Sequence, residues 1–144
     1  MDGRVRNYAL DRIDSFQLMP HLEYIEPDEE FESRFEDIVG VTLNEDKPVE
    51  DILLWANDEG APYIKTKPFH GSQRNVKGED EKLLRERYPA LVGGSFFRLQ
   101  CILNYELEQL LMSKMDQVVV LQPSSLSDSL RNRIEKMSML YSKL

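Results

Sequence analysis

Apolar and polar residues alternate most cleanly in "SFFRLQCIL", where Phe97, Leu99, Cys101 and Leu103 share one side and Arg98 and Gln100 the other. A period of two with one apolar side predicts a half-buried β-strand. "KPVEDILLWAND" has Val49, Leu53 and Trp55 on one side and Ile52, Leu54 and Ala56 on the other. Two apolar sides predict a strand inside a sheet rather than at its edge. "QVVVLQP" reads as a further strand and "SQRNV" as a brief one. Helical segments separate them. "DEGAPYIKTKPF" is a short helix that Asp58 can cap, with Pro62 in its first turn and Pro68 stopping it. "NYELEQLLMSK" is capped by Asn104 and turns Leu107, Leu110 and Leu111 inward. The last element, "SSLSDSLRNRIEKMSMLYSK", places Leu126, Leu130, Ile134, Met137 and Tyr141 at helical spacing.

Two N-terminal segments complete the pattern. "VRNYALDRIDSF" reads as a strand with Tyr8, Leu10 and Arg12 on one face. No partner strand lies nearby, and a lone strand is not stable. The expectation is that the chain starts in the middle of a larger protein, or borrows neighbours from another copy. "PDEEFESRFEDIVGV" is a helix by its punctuation, with Pro27 at the start, acids in the first turn and Gly40 after the end. Its acids read as a solvated face.

Residues 77 to 94, "KGEDEKLLRERYPALVGG", read as an insertion with one or two helical turns, broken by Pro89 and the Gly93-Gly94 pair. The order from residue 48 to 121 is then β-α-β-β-α-β, the ferredoxin-like or split βαβ unit. The expected fold is α+β, a sheet with helices on one face, plus an N-terminal strand and helix and a C-terminal amphipathic helix. Cys101 is expected in the core.

Composition narrows the function. The chain has 144 residues, 41% hydrophobic and 31% charged, as in an ordinary soluble globular protein. No run approaches the ~20 apolar residues that span a bilayer. The first residues lack a signal peptide's apolar segment. A single cysteine excludes an internal disulfide framework, and a cytoplasmic location is expected. The formal net charge of -8 is uneven: residues 23 to 59 carry fourteen acids and two bases, Arg34 and Lys47. Residues 60 to 78 carry Lys65, Lys67, Arg74, Lys77 and His70 and no acid. A polyanion is repelled by the first region and meets only the second.

The candidate chemistry gathers in "KPFHGSQRN", residues 67 to 75. A catalytic reading needs a nucleophile, a base and an orienting group. His70, Ser72 and Gln73 are present, without an oxyanion-hole motif or glycine-rich elbow. A metal site needs three or four ligands, and the other histidine, His21, shares no spacing motif with His70. No catalytic or metal residue is assigned, and no cofactor. Two readings stay open. His70, Ser72 and Gln73 hydrogen-bond the backbone of the turn, or Lys65, Lys67, His70, Gln73 and Arg74 form an anion-facing patch.

Several of these stretches resemble one family. "YALDRID" looks like the closing strand of a WYL domain. "PVEDILLWANDEGAPYIKTKPFHGSQ" resembles the opening of the extension that follows WYL domains, with its Pro-aromatic-His-x-Ser-Gln turn. "NYELEQLLMSKMDQVVVLQPSSLSDSLRNRIEKMSMLY" is similar to that extension's closing helix-strand-helix. The resemblance implies residues 1 to 26 as the last WYL strand and linker. Residues 27 to 144 are then the ferredoxin-like extension, with its insertion at 77 to 94. It implies the non-catalytic ligand-sensing and dimerisation region of a bacterial DNA-binding transcription regulator. Self-association is expected, with a nucleic acid or nucleotide-like effector reached through the WYL part. DNA is contacted only through a helix-turn-helix that this chain lacks, and no membrane is involved. The resemblance also implies anion contact for Arg12. The family's first arginine of that motif is Ala9 here, and the insertion is longer than usual. The alternative is a stand-alone ferredoxin-like domain binding a small molecule.

Overall fold

Eight residues, β1 (Val49–Ala56), run through the middle of the sheet, as their two apolar sides require. The computed structural model describes residues 8–26, 33, 35–43 and 46–144. β1 is joined by β2 (Arg74–Asn75), β3 (Ser95–Ile102) and β4 (Val118–Gln122) in a four-stranded antiparallel sheet of order β2-β3-β1-β4. Helices α1 (Gly60–Thr66), α2 (Glu79–Arg87), α3 (Tyr105–Met112) and α4 (Ser124–Tyr141) complete the α+β fold.

One face of the sheet presents Ile52, Leu54, Ala56, Phe97, Leu99 and Cys101 to α1, α3 and α4. Those helices contribute Ala61, Ile64, Leu107, Leu111, Leu126 and Leu130. Each large side chain buried here contributes about 1.5–3 kcal/mol of hydrophobic stabilisation. The opposite face presents Leu53, Trp55 and Phe96, and the insertion covers them with Leu84, Tyr88 and Leu91. The expectation of helices on one face is therefore corrected, because α2 lies on the other. A strand as apolar on both sides as β1 needs a second cover, and residues 77 to 94 supply it.

Two caps set the helix positions. Asn57, rather than the expected Asp58, caps α1: its Oδ1 accepts from the Glu59 and Gly60 amides at 3.1 and 2.8 Å. Asp58 instead accepts from the Gly94 amide at 2.7 Å, fastening the insertion to the end of β1. Asn104 caps α3 as expected, accepting from Leu107 N at 2.9 Å. Its buried amide also donates to the carbonyls of Val39 (2.8 Å) and Thr42 (3.2 Å), holding the distant loop ahead of β1 against the helix. The Thr42 hydroxyl donates to Glu106 at 2.5 Å and holds that carboxyl below its ordinary pKa.

The expected N-terminal strand is not formed. Leu10–Arg12 is a single 3-10 turn, and residues 8 to 26 are exposed throughout. Alternation alone cannot hold an extended strand without a neighbour to bond it. Of the helix expected from Pro27 to just before Gly40, residues 27 to 32 and 34 lie outside the described residues. Residues 35 to 41 are turns and bends, with Ile38 buried.

α4 is also only half integrated. Leu126 and Leu130 are buried, whereas every residue from Arg131 onward is exposed. Its 18 residues span about 27 Å, against about 17 Å for the five residues of β4. The helix outruns β4, the strand it follows.

Cys101 has no exposed surface. Burial, then the nearby Asp37 charge, pushes its thiol up to about 11 from 9.0. A thiol with a raised folded-state pKa stays protonated while the unfolded chain ionises, so folding stability falls as pH rises. The fall belongs between about pH 9 and 11, and amounts to roughly 2–3 kcal/mol. Urea melts at pH 8 and pH 11 should show this loss in the native chain. The loss should be smaller by that amount in Cys101→Ala, which removes the titrating thiol; an equal loss in both counts against it.

Candidate functional site

Residues 67 to 73 connect α1 to β2, and the side chains of His70, Ser72 and Gln73 are tied to backbone. Gln73 bridges the end of α1 and the turn. Its Nε2 donates to Ile64 O at 3.1 Å and its Oε1 accepts from Phe69 N at 3.0 Å. The Ile64 carbonyl is one of the groups a helix C-terminus leaves without an intrahelical donor. Ser72 stands where the neighbouring strand would continue. Its hydroxyl donates to Gln100 O at 2.9 Å and accepts from Gln100 N at 2.8 Å, extending the edge pairing of β3. β2 itself has two residues, so a side chain replaces the missing backbone.

His70 locks this turn to a distant loop. Its Nε2 lies 2.6 Å from the Glu36 carbonyl, which only accepts, so Nε2 carries a proton. Its Nδ1 lies 2.7 Å from Ser72 Oγ and 3.2 Å from Ser72 N. A serine hydroxyl beside a histidine nitrogen has the outline of a nucleophile and base. Here both the proton and an acceptor position of Ser72 face the Gln100 backbone, and the far side of the imidazole faces a carbonyl. All three residues therefore serve the main chain, the first of the two readings left open by the sequence.

The cations are placed differently. Lys65 and Lys67 project from the end of α1 and are exposed. Lys67 Nζ lies 5.3 Å from the centre of the half-exposed Tyr63 ring. Lys114, which follows α3, approaches the same ring at 4.8 Å and the Phe69 ring at 5.7 Å. No local pattern marks this lysine, because packing alone brings the end of α3 to α1. Arg74 is not part of this group. It pairs in register with Arg98, whose guanidinium bonds Asp51 on the sheet face opposite α1. Arg12 sits on the exposed N-terminal turn, and no contact of its side chain with the other candidates is found among the described residues. The sequence-derived patch therefore divides into a lysine cluster with Tyr63, an arginine across the sheet, and Arg12 apart.

Around α4 lie two apolar grooves. One, of about 340 Å³, runs between α3 and the C-terminal end of α4 and is lined by Tyr105, Met112, Met137 and Leu140, with Arg133 and Lys136 at its rim. The other, of about 360 Å³, lies against β4 and includes Val119, Leu130 and Ile134. Among the described residues no group of three or more His, Cys, Asp or Glu could hold a metal ion, and no helix is long and apolar enough to cross a membrane. Compared with protein-family models and with curated proteins, the chain matches none.

Proposed function

We propose that this chain is a non-catalytic sensing and assembly region of a bacterial WYL-type transcription regulator, active through self-association rather than through a reaction. The observation that carries it is the bare half of α4. Ile134, Met137, Leu140 and Tyr141 are 55%, 48%, 64% and 71% exposed along one amphipathic helix. Apolar surface presented in a row beside an open sheet edge fits a protein–protein contact. β4 supplies that edge, since it ends the strand order. A ferredoxin-like reading of the sheet is supported by the antiparallel order β2-β3-β1-β4 with α1 and α3 against one face. The use of His70, Ser72 and Gln73 in backbone bonds supports a role without catalysis. The WYL assignment itself rests on the sequence motifs.

Light scattering after size exclusion tests the assembly. At about 50 μM the chain should run close to twice its monomer mass, a concentration at which a micromolar dimer is about nine-tenths formed. Glutamate at both Met137 and Leu140 should return it to monomer with unchanged circular dichroism, since neither residue is in the core. A native chain that stays monomeric at that concentration, or a dimer indifferent to the double substitution, overturns the reading.

A further inference from the structure

The chain is acidic, with a formal net charge of -8, and five of its described cations are neutralised at close range. Lys82, Arg85, Arg98, Arg131 and Arg133 each bond a carboxylate. Lys65, Lys67 and Lys114 do not pair with any carboxylate among the described residues. Lys67 and Lys114 instead lie against the Tyr63 ring, which orients an ammonium without cancelling its charge. Lys114 is half-buried, and Asp116, two residues along, does not pair with it. The ring distances put the two ammonium groups within about 10 Å of each other, about one Debye length at 0.1 M salt. At that range or less, an anion beside the ring would meet both charges.

From this geometry we infer a binding site for a polyphosphate chain, seated between Lys67 and Lys114 along the edge of Tyr63, with Lys65 on the same helix end adding charge. Lysines act on phosphate as point charges. Several lysines gathered around one ring offer more point charges than a single small anion can use, and suit a ligand whose negative charge is spread over linked phosphates. The ring carries the cations, so it does not serve as a stacking platform for a base. The inference deepens the sensing half of the function proposed above, by naming the ligand chemistry, and rests on it. It does not depend on dimer formation.

Isothermal titration at low salt, with inorganic tripolyphosphate, a nucleoside triphosphate and inorganic phosphate as probes, tests it. Tripolyphosphate should bind, orthophosphate should bind at least about tenfold more weakly, and affinity should fall as salt rises. A nucleoside triphosphate matching tripolyphosphate places recognition in the phosphate chain, as inferred. Binding of the nucleoside form alone overturns the inference, because the base would then dominate. Lys114→Ala should weaken tripolyphosphate by about tenfold, the loss of one charge-assisted contact. Lys82→Ala, which removes a lysine paired to Glu79 elsewhere, should leave binding unchanged. Equal effects of the two substitutions, or no binding by the native chain, overturn the inference. A dimer without phosphate binding refutes this site and spares the assembly reading; a phosphate-binding monomer does the reverse.

Discussion

Alanine in place of Gly94 is expected to lower the melting temperature by on the order of 10 °C, the largest effect of any single methyl added to this chain. Gly94 has φ +61°, a conformation that other residues adopt at a cost of about 1–2 kcal/mol. A Cβ there would come within 2.0 Å of the Ala56 carbonyl oxygen and 3.0 Å of Asn57 Cα. Those atoms are backbone at the end of the central strand, held by β3 on one side and β4 on the other. They cannot yield as a flexible side chain can. Overpacking of this kind adds about 1–3 kcal/mol, for a total near 3–4 kcal/mol out of the 5–15 typical of a domain. Calorimetry of Gly94→Ala beside Gly71→Ala checks it. Gly71 has nothing within 4 Å of its added carbon. Similar melting points for the two variants would show that the approach of the insertion to β1 is not tight.

Arg85→Ala should cost about 2–3 kcal/mol, the second large effect. The guanidinium gathers the loose end of the insertion. It donates to the carbonyls of Leu91 (3.2 Å), Gly93 and Gly94 (2.9 Å) and to Glu81 (3.1 Å). It also lies 4.9 Å from the centre of the Phe96 ring. Alanine leaves three carbonyls without this donor, and water reaches only some of them because the site is part-buried. The Glu81 pair itself adds little, since both side chains are about one-third exposed. Arg85→Lys should recover less than half the loss, because one ammonium cannot reach all three carbonyls at once. Urea unfolding of the three proteins measures this. A lysine variant as stable as the native chain would show that charge alone, without the fork of donors, holds the cover.

Much of the fold was legible because its signals were local. The two apolar sides of β1 state that both are covered, and the apolar side of β3 with Phe97, Leu99 and Cys101 is buried as its pattern requires, although Phe96 is buried on the other side as well. Asn104 announced α3 by the same kind of short-range signal. The insertion was different. "EDEKLLRERY" has one apolar pair, Leu83 and Leu84, and only the second is buried. What makes this segment a cover is Arg85 reaching residues 91 to 94, a contact with no periodicity to reveal it. The N-terminal segment shows the converse. Its alternation suits a strand, but alternation does not supply the neighbouring backbone that a strand needs.

The candidate site divided along the same line. His70, Ser72 and Gln73 stand within four residues, and their backbone bonds follow from short polar side chains in a turn. Arg74 is continuous with the lysines in sequence, but successive residues of a strand face opposite ways, and its register with Arg98 carries it across the sheet. Lys114 was invisible for the opposite reason. It comes from a separate helix, and only the packing of that helix beside α1 sets it against Tyr63.

The chain's single tryptophan lies beneath the insertion. Trp55 is 8% exposed, and its indole N–H donates at 3.2 Å to the Gly93 carbonyl that Arg85 also holds. Any event that lifts the whole insertion, Gly93 included, from the sheet must break this bond and wet the indole while β1 remains paired to β3 and β4. The protein thus has a built-in fluorophore at the seam between insertion and sheet. A red shift in its emission would register opening of that seam before the sheet itself melts.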